Sequence, residues 1–110
     1  MIPEIQIGEA ATLLADGDAV FVDIRDPQSY AAGHIPGAIL ATPEHVEGLT
    51  QSSKSREVVV YCYHGNSSKN ATLWFLQRGF ERVRSMSGGF EDWRDAGEND
   101  EAFAIDVGLE

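Results

Sequence analysis

The chain is short of cysteine, of positive charge and of long apolar runs, and each shortage excludes something. One cysteine, Cys62, stands among 110 residues, which rules out an internal disulfide and any zinc site built from several cysteines. A lone thiol also fits a reducing compartment. Eight Lys and Arg against eighteen Asp and Glu leave a net charge of −10, which argues against nucleic acid or an anionic membrane as a partner. No apolar stretch approaches the ~20 residues that a membrane helix needs. The opening residues Met1-Ile2-Pro3-Glu4-Ile5 lack the basic-then-apolar pattern of a secretory leader. These absences predict a soluble, cytoplasmic protein. The length suits one domain, able to bury roughly two-thirds of the surface its unfolded chain exposes.

What is present is an alternation of strand and helix signals. Ile5-Gln6-Ile7 fits a short edge strand. Glu9 to Ala15 has apolar residues at helical spacing and is closed by Asp16-Gly17-Asp18. Ala19 to Ile24 and Val58 to Cys62 are nearly continuous apolar runs, the pattern of strands covered on both faces. Asp26-Pro27 starts a helix that should stop near Gly33, with Pro27 in the first turn. Ile35 to Leu40 holds a turn and a short strand, and Thr42 or Pro43 opens another helix. The clearest helix runs from Ser67 or Ser68 to Arg78 and is ended by Gly79. Val83 fits a last strand, and Ser87-Gly88-Gly89 turns into a helix through Phe90 and Trp93. This order predicts an α/β fold with a small parallel sheet and helices on both faces. Residues 1–97 are assigned to the domain, and the acidic tail 98–110 is expected to be partly ordered, with Phe103 and Ile105 able to dock on the core.

The charge is unevenly spread. Residues 54–84 hold six bases (Lys54, Arg56, Lys69, Arg78, Arg82, Arg84) and two acids, while the flanking segments are acidic. Either the bases sit on separate solvated faces, or they converge as a field that attracts a small anion.

Cys62 ends its apolar run and is followed by Tyr63-His64-Gly65-Asn66-Ser67-Ser68-Lys69 before the helix. An unpaired cysteine is often a small buried space filler, but the residues after it suggest more. A strand-to-helix loop gathers backbone N–H groups and the positive end of the helix dipole. Gly65 and Asn66 are the residues best able to adopt positive φ, which a ring of inward amides needs. Ser67 and Ser68 are good N-caps and can donate to a sulfur anion. His64 and Lys69 add charge or donors. Such surroundings favour a thiolate, and the carboxyl end of a parallel strand is where ligands bind in folds of this class. Asp23 and Arg25 are expected either to pair as structural support or to leave Arg25 at the rim as an anion contact. Tyr63 is placed at the pocket mouth, His34 in a hydrogen-bonded turn, and Gly88 and Gly89 in a close turn beside the loop.

The segment Cys62 to Ser68 resembles the active-site loop of the rhodaneses, and of the small single-domain thiosulfate sulfurtransferases in particular. Val22-Asp23-Ile24-Arg25-Asp26-Pro27 with Tyr30 and Gly33 to Ala38 resembles that family's N-terminal signature, and Ser87-Gly88-Gly89-Phe90-Glu91-Asp92-Trp93 its C-terminal one. The three motifs come in the family's order over residues 17–95. The resemblance implies a rhodanese-like sheet of about five strands, with Cys62 as nucleophile and residues 63–69 with Arg25 around the substrate. It implies transfer of sulfane sulfur from thiosulfate to cyanide or a thiol through a Cys62 persulfide, without metal or organic cofactor. A protein thiol could also serve as acceptor.

Two other functions fit the same fold. A sulfur carrier or regulatory module would keep the cysteine without turning over small acceptors. A cysteine phosphatase or arsenate reductase would need an arginine six positions after the cysteine to clamp an oxyanion. Ser68 stands there, followed by Lys69.

Overall fold

Two central strands carry the fold because their sequences are apolar on both faces. In β4 (Glu57–Tyr61), Val58, Val59, Val60 and Tyr61 are all buried. In β2 (Ala19–Asp23), Phe21, Val22 and Asp23 are buried. The two pair in parallel with Val22 opposite Val60 and Asp23 opposite Tyr61. The computed structural model describes residues 1–52 and 54–97. The tail 98–110, including Phe103 and Ile105, lies outside the described residues.

The remaining elements follow the alternation closely. They are β1 (Glu4–Ile5), α1 (Ile7–Asp16), α2 (Pro27–Ala32), β3 (Ile39–Leu40), α3 (Pro43–Thr50), α4 (Ser67–Gln77), β5 (Arg82–Met86) and α5 (Gly89–Ala96). Local chemistry sets several ends. Asp26 caps α2, its carboxylate accepting from the Ser29 N–H, with Pro27 at the first helical position. Thr42 caps α3 in the same way through the His45 N–H. Gly17 ends α1 in the left-handed conformation, its N–H bonded to the carbonyls of Leu13 and Leu14.

All five strands are parallel, in the order β1-β5-β4-β2-β3. Side chains of β2 and β4 alternate between two cores. Phe21, Val59 and Tyr61 pack with Trp93, Phe90 and Ala10 on one face, under α1 and α5. Val22, Val58 and Val60 pack with Phe75, Phe80 and Leu49 on the other, under α3 and α4. At about 25 cal/mol per Å2, each fully buried Val or Phe contributes on the order of 2 kcal/mol. No helix among the described residues is long and apolar enough to cross a membrane.

The strand order places Arg25 and Cys62 near one another. After β2 the chain moves outward to β3, then returns to the other side of β2 to form β4 and moves on to β5. The connections leaving β2 and β4 therefore diverge, and a crevice opens between their carboxyl ends. Arg25 stands beyond one end and Cys62 beyond the other.

Candidate active site

Cys62 is the first residue after β4 and keeps 6% of its surface exposed. Its sulfur sits in a cup formed by the loop and the start of α4. The Gly65 N–H donates to Sγ at 3.1 Å and the Ser68 N–H at 3.3 Å. The Ser68 Oγ lies 3.5 Å away. Burial alone would raise the thiol's pKa. The Ser68 hydroxyl, the amides of Ser68 and Gly65 and the His64 amide outweigh it, and the net effect lowers the pKa below that of an ordinary cysteine.

The loop holds this shape because α5 grips its outer side. The Phe90 N–H donates to the Cys62 carbonyl at 2.8 Å, and the Glu91 N–H to the Tyr63 carbonyl at 3.0 Å. A trans peptide points its N–H opposite its C=O. Drawing the Tyr63 carbonyl outward therefore turns the His64 amide inward, towards the sulfur. The approach of α5 is close enough to require glycine. A Cβ on Gly89 would stand 2.5 Å from the Tyr63 carbonyl oxygen and 2.7 Å from that of Cys62. Gly65, at φ 92°, would place one 2.8 Å from the Gly88 nitrogen. Gly88 and Gly89 thus occupy the close turn beside the loop that the sequence suggested.

Other residues singled out in the sequence fall in different places. Asn66 does not adopt positive φ. It precedes α4 at φ −93°, makes no side-chain cap bond and leaves the left-handed turn to Gly65 alone. Ser67 is the first residue of α4 and is exposed, and its hydroxyl makes no bond to Sγ. Ser68 is the serine turned inward, because it lies one residue further round the helix. His64 points outward and meets Glu91 at 2.9 Å, with 63% of its side chain exposed. Lys69 reaches towards Glu4 at 3.8 Å rather than towards the sulfur. Tyr63 is exposed at the mouth, its ring edge against Phe90.

The six bases of residues 54–84 do not converge on the cup. Arg56 and Arg82 stand at the amino ends of β4 and β5, and the Lys54 ammonium bonds the Arg78 carbonyl where α4 ends. Arg84 pairs with Glu9 and Glu57. In a parallel sheet the amino ends of strands and the carboxyl ends of helices share one edge, and the cup lies at the opposite one. These charges belong to separate faces.

Asp23 and Arg25 form a closed pair. The guanidinium donates to both carboxylate oxygens, at 2.7 Å from Nη2 to Oδ2 and 3.0 Å from Nε to Oδ1, and Nη2 also donates to the Gly33 carbonyl at 2.7 Å. Both side chains are buried. Burial works against the Arg25 charge, but Asp23 outweighs it and raises the pKa further. The Arg25 guanidinium lies over the Phe90 ring at 4.2 Å. These contacts tie the β2 connection to the end of α2 and to α5. Arg25 also forms part of one wall of a cavity of about 260 Å3, shared with Asp26, Gly33, Tyr63, Phe90 and Arg94. Of residues 62–69, Tyr63 alone lines it.

His34 is buried in its turn, with Nδ1 2.8 Å from the Tyr30 carbonyl and its ring stacked on Tyr30. One residue near the sulfur carries almost no signal in the sequence. Ser85, on β5, is fully buried with its hydroxyl 2.6 Å from that of Ser68. Its only mark is a small polar residue interrupting a strand next to the cysteine's own.

Comparison with known proteins agrees with this geometry. A family model described as a rhodanese-like domain matches residues 6–96. A protein of unknown function from Rhodopseudomonas palustris, described as a possible tyrosine phosphatase, is 32% identical, with a TM-score of 0.75 over 87% of this chain and 82% of its own. The rhodanese-like domain of an Anabaena protein is 28% identical, with a TM-score of 0.75 over 88% of this chain and 76% of its own. The human single-domain sulfurtransferase TSTD1 is 25% identical, with a TM-score of 0.73 over 86% of this chain and 97% of its own. With a buried thiol in a ring of amides at the switch point of a five-stranded parallel sheet, and a family model spanning most of its length, the chain belongs to the rhodanese-like domain family.

Proposed function

We propose that the protein is a thiosulfate sulfurtransferase acting through a persulfide on Cys62. The observation that carries this reading is the pair of backbone amides, Gly65 and Ser68, aimed at a sulfur whose pKa is lowered. The Cys62 thiolate attacks the outer sulfur of thiosulfate. An S–S bond forms at Sγ, the S–S bond of thiosulfate breaks, and sulfite leaves with the bonding electron pair. The negative charge stays on the outer sulfur of the persulfide, within reach of the same amides. Cyanide or a thiolate then attacks that outer sulfur, and Cys62 leaves as thiolate. The two half-reactions give ping-pong kinetics.

A phosphatase reading draws on the Rhodopseudomonas relative's description. It lacks the part that such chemistry needs. Ser68 fills the position of the clamping arginine, and Arg25 is engaged by Asp23 and Gly33. A lysine at 69 does not replace a bidentate fork.

The test is a thiosulfate-to-cyanide assay beside an aryl-phosphate assay, with Cys62→Ser as control. Thiocyanate formation that disappears in the variant supports the reading, because a serine hydroxyl is a poor acceptor of sulfane sulfur. Formation that survives in Cys62→Ser overturns it. Persulfide on Cys62 without turnover of cyanide or small thiols points to a carrier that delivers sulfur to another protein.

A further inference from the structure

The buried hydroxyls of Ser68 and Ser85 form a chain that ends on the Cys62 sulfur. Ser85 Oγ is 2.6 Å from Ser68 Oγ, which is 3.5 Å from Sγ. Ser68 and Ser85 are fully buried. Among the described residues, the Ser85 hydroxyl meets no other polar side-chain or backbone partner, and the Ser68 hydroxyl meets only these two. The chain therefore offers two hydrogen-bond positions, one between the serines and one between Ser68 and sulfur.

We infer that Ser85 is a positioning residue, acting through Ser68 to favour the anionic sulfur at Cys62. The proton count carries the argument. With Cys62 as a thiol, three protons compete for two positions. One of them, on Ser85 or on sulfur, is left without an acceptor in the chain, and on the fully buried Ser85 such a donor is costly. With Cys62 as a thiolate, two protons fill two positions. Ser85 donates to Ser68, Ser68 donates to sulfur, and each bond polarises the next. The direction of both bonds is then set by the acceptor at the end. An outer persulfide sulfur carries the same charge and is an acceptor of the same kind.

β5 is the right element for this task. It lies beside β4, with Ser85 opposite Val60, and its backbone is held from the far side by the bond from the Ser85 N–H to the Pro3 carbonyl at 2.9 Å. The hydroxyl is thus fixed by the sheet, independently of the loop that carries the sulfur.

The test measures the pH dependence of iodoacetamide alkylation of Cys62, which reads the thiolate whether or not sulfur is transferred. In Ser85→Ala the alkylation midpoint should rise by roughly half a pH unit to one unit. Ser85→Thr, which keeps the hydroxyl on a strand-favouring side chain, should restore most of the shift. In a Ser68→Ala background the Ser85→Ala change should add almost nothing, because its route to the sulfur is gone. An unchanged midpoint in folded Ser85→Ala, or the same shift with and without Ser68, overturns the inference. Should Ser85→Ala fail to fold, Ser68→Ala alone must raise the midpoint, and an unchanged value there overturns it equally. The inference rests on Cys62 acting as an anion, as in the proposed function. An alkylation shift with no sulfur transfer would refute that function and leave the role of Ser85 standing.

Discussion

The connections that leave β2 and β4 start side by side and end as opposites. Beyond β2, charge is abundant and closed. Asp23 and Arg25 satisfy each other at 2.7 Å, are buried, and leave little field for a ligand. Beyond β4, the side chains of His64 and Lys69 turn away to Glu91 and Glu4, and the Gly65 and Ser68 amides and the Ser68 hydroxyl face one sulfur. The first connection closes on itself, and the second turns its donors on one atom. Oriented dipoles gather around one atom here, while a full cation a few residues from the sheet end is taken up by its own carboxylate.

Changes on each side should therefore break different properties. Asp23→Asn leaves a buried guanidinium without its carboxylate and should lower stability by about 3 to 5 kcal/mol. Chemical denaturation checks this, and a loss confined to sulfur transfer would show that the pair serves the substrate directly. Gly89→Ala drives a Cβ into the Cys62 and Tyr63 carbonyls at a left-handed φ. It should cost about 2 to 3 kcal/mol, and kcat/KM for thiosulfate should fall on the order of a hundredfold as the amides turn away. On the β4 side, the alkylation midpoint of the wild-type thiol should lie below the ~8.5 of a free cysteine. The fold thereby releases the Cys62 proton. Its stabilisation is complete above the unfolded thiol's range and is lost as pH falls through the lowered folded value. A midpoint at or above ~8.5 would mean that burial prevails over the amides. The smallest effect is expected from bases away from the cup. Lys69→Gln and Arg82→Gln should each change stability by less than ~0.5 kcal/mol and thiosulfate KM less than about twofold, because neither side chain faces the cup.

The sequence showed the layers of this fold well, since continuous runs such as Val58–Val60 and the Asp26-Pro27 and Gly17 boundaries carry their own physics. It also located the loop, because a glycine and two serines directly after a strand-end cysteine supply the turn and the donors that a thiolate needs. What it concealed was direction. Ser67 and Ser68 are equivalent as letters, and only the helical turn decides which hydroxyl faces sulfur. Asn66 could have shared the left-handed turn, but Gly65 takes all of it. The clustered bases could have stood on separate faces or formed one field, and the sheet sends most of them to its other edge. Ser85 was hidden because its neighbourhood with Cys62 exists only through strand pairing.

The most direct measurement is intact-mass spectrometry of the purified wild-type protein after exposure to thiosulfate and removal of the excess. A gain of one sulfur atom on Cys62, discharged by cyanide with the thiol restored, is the predicted result. An unchanged mass in folded protein whose Cys62 still reacts with iodoacetamide would contradict the account.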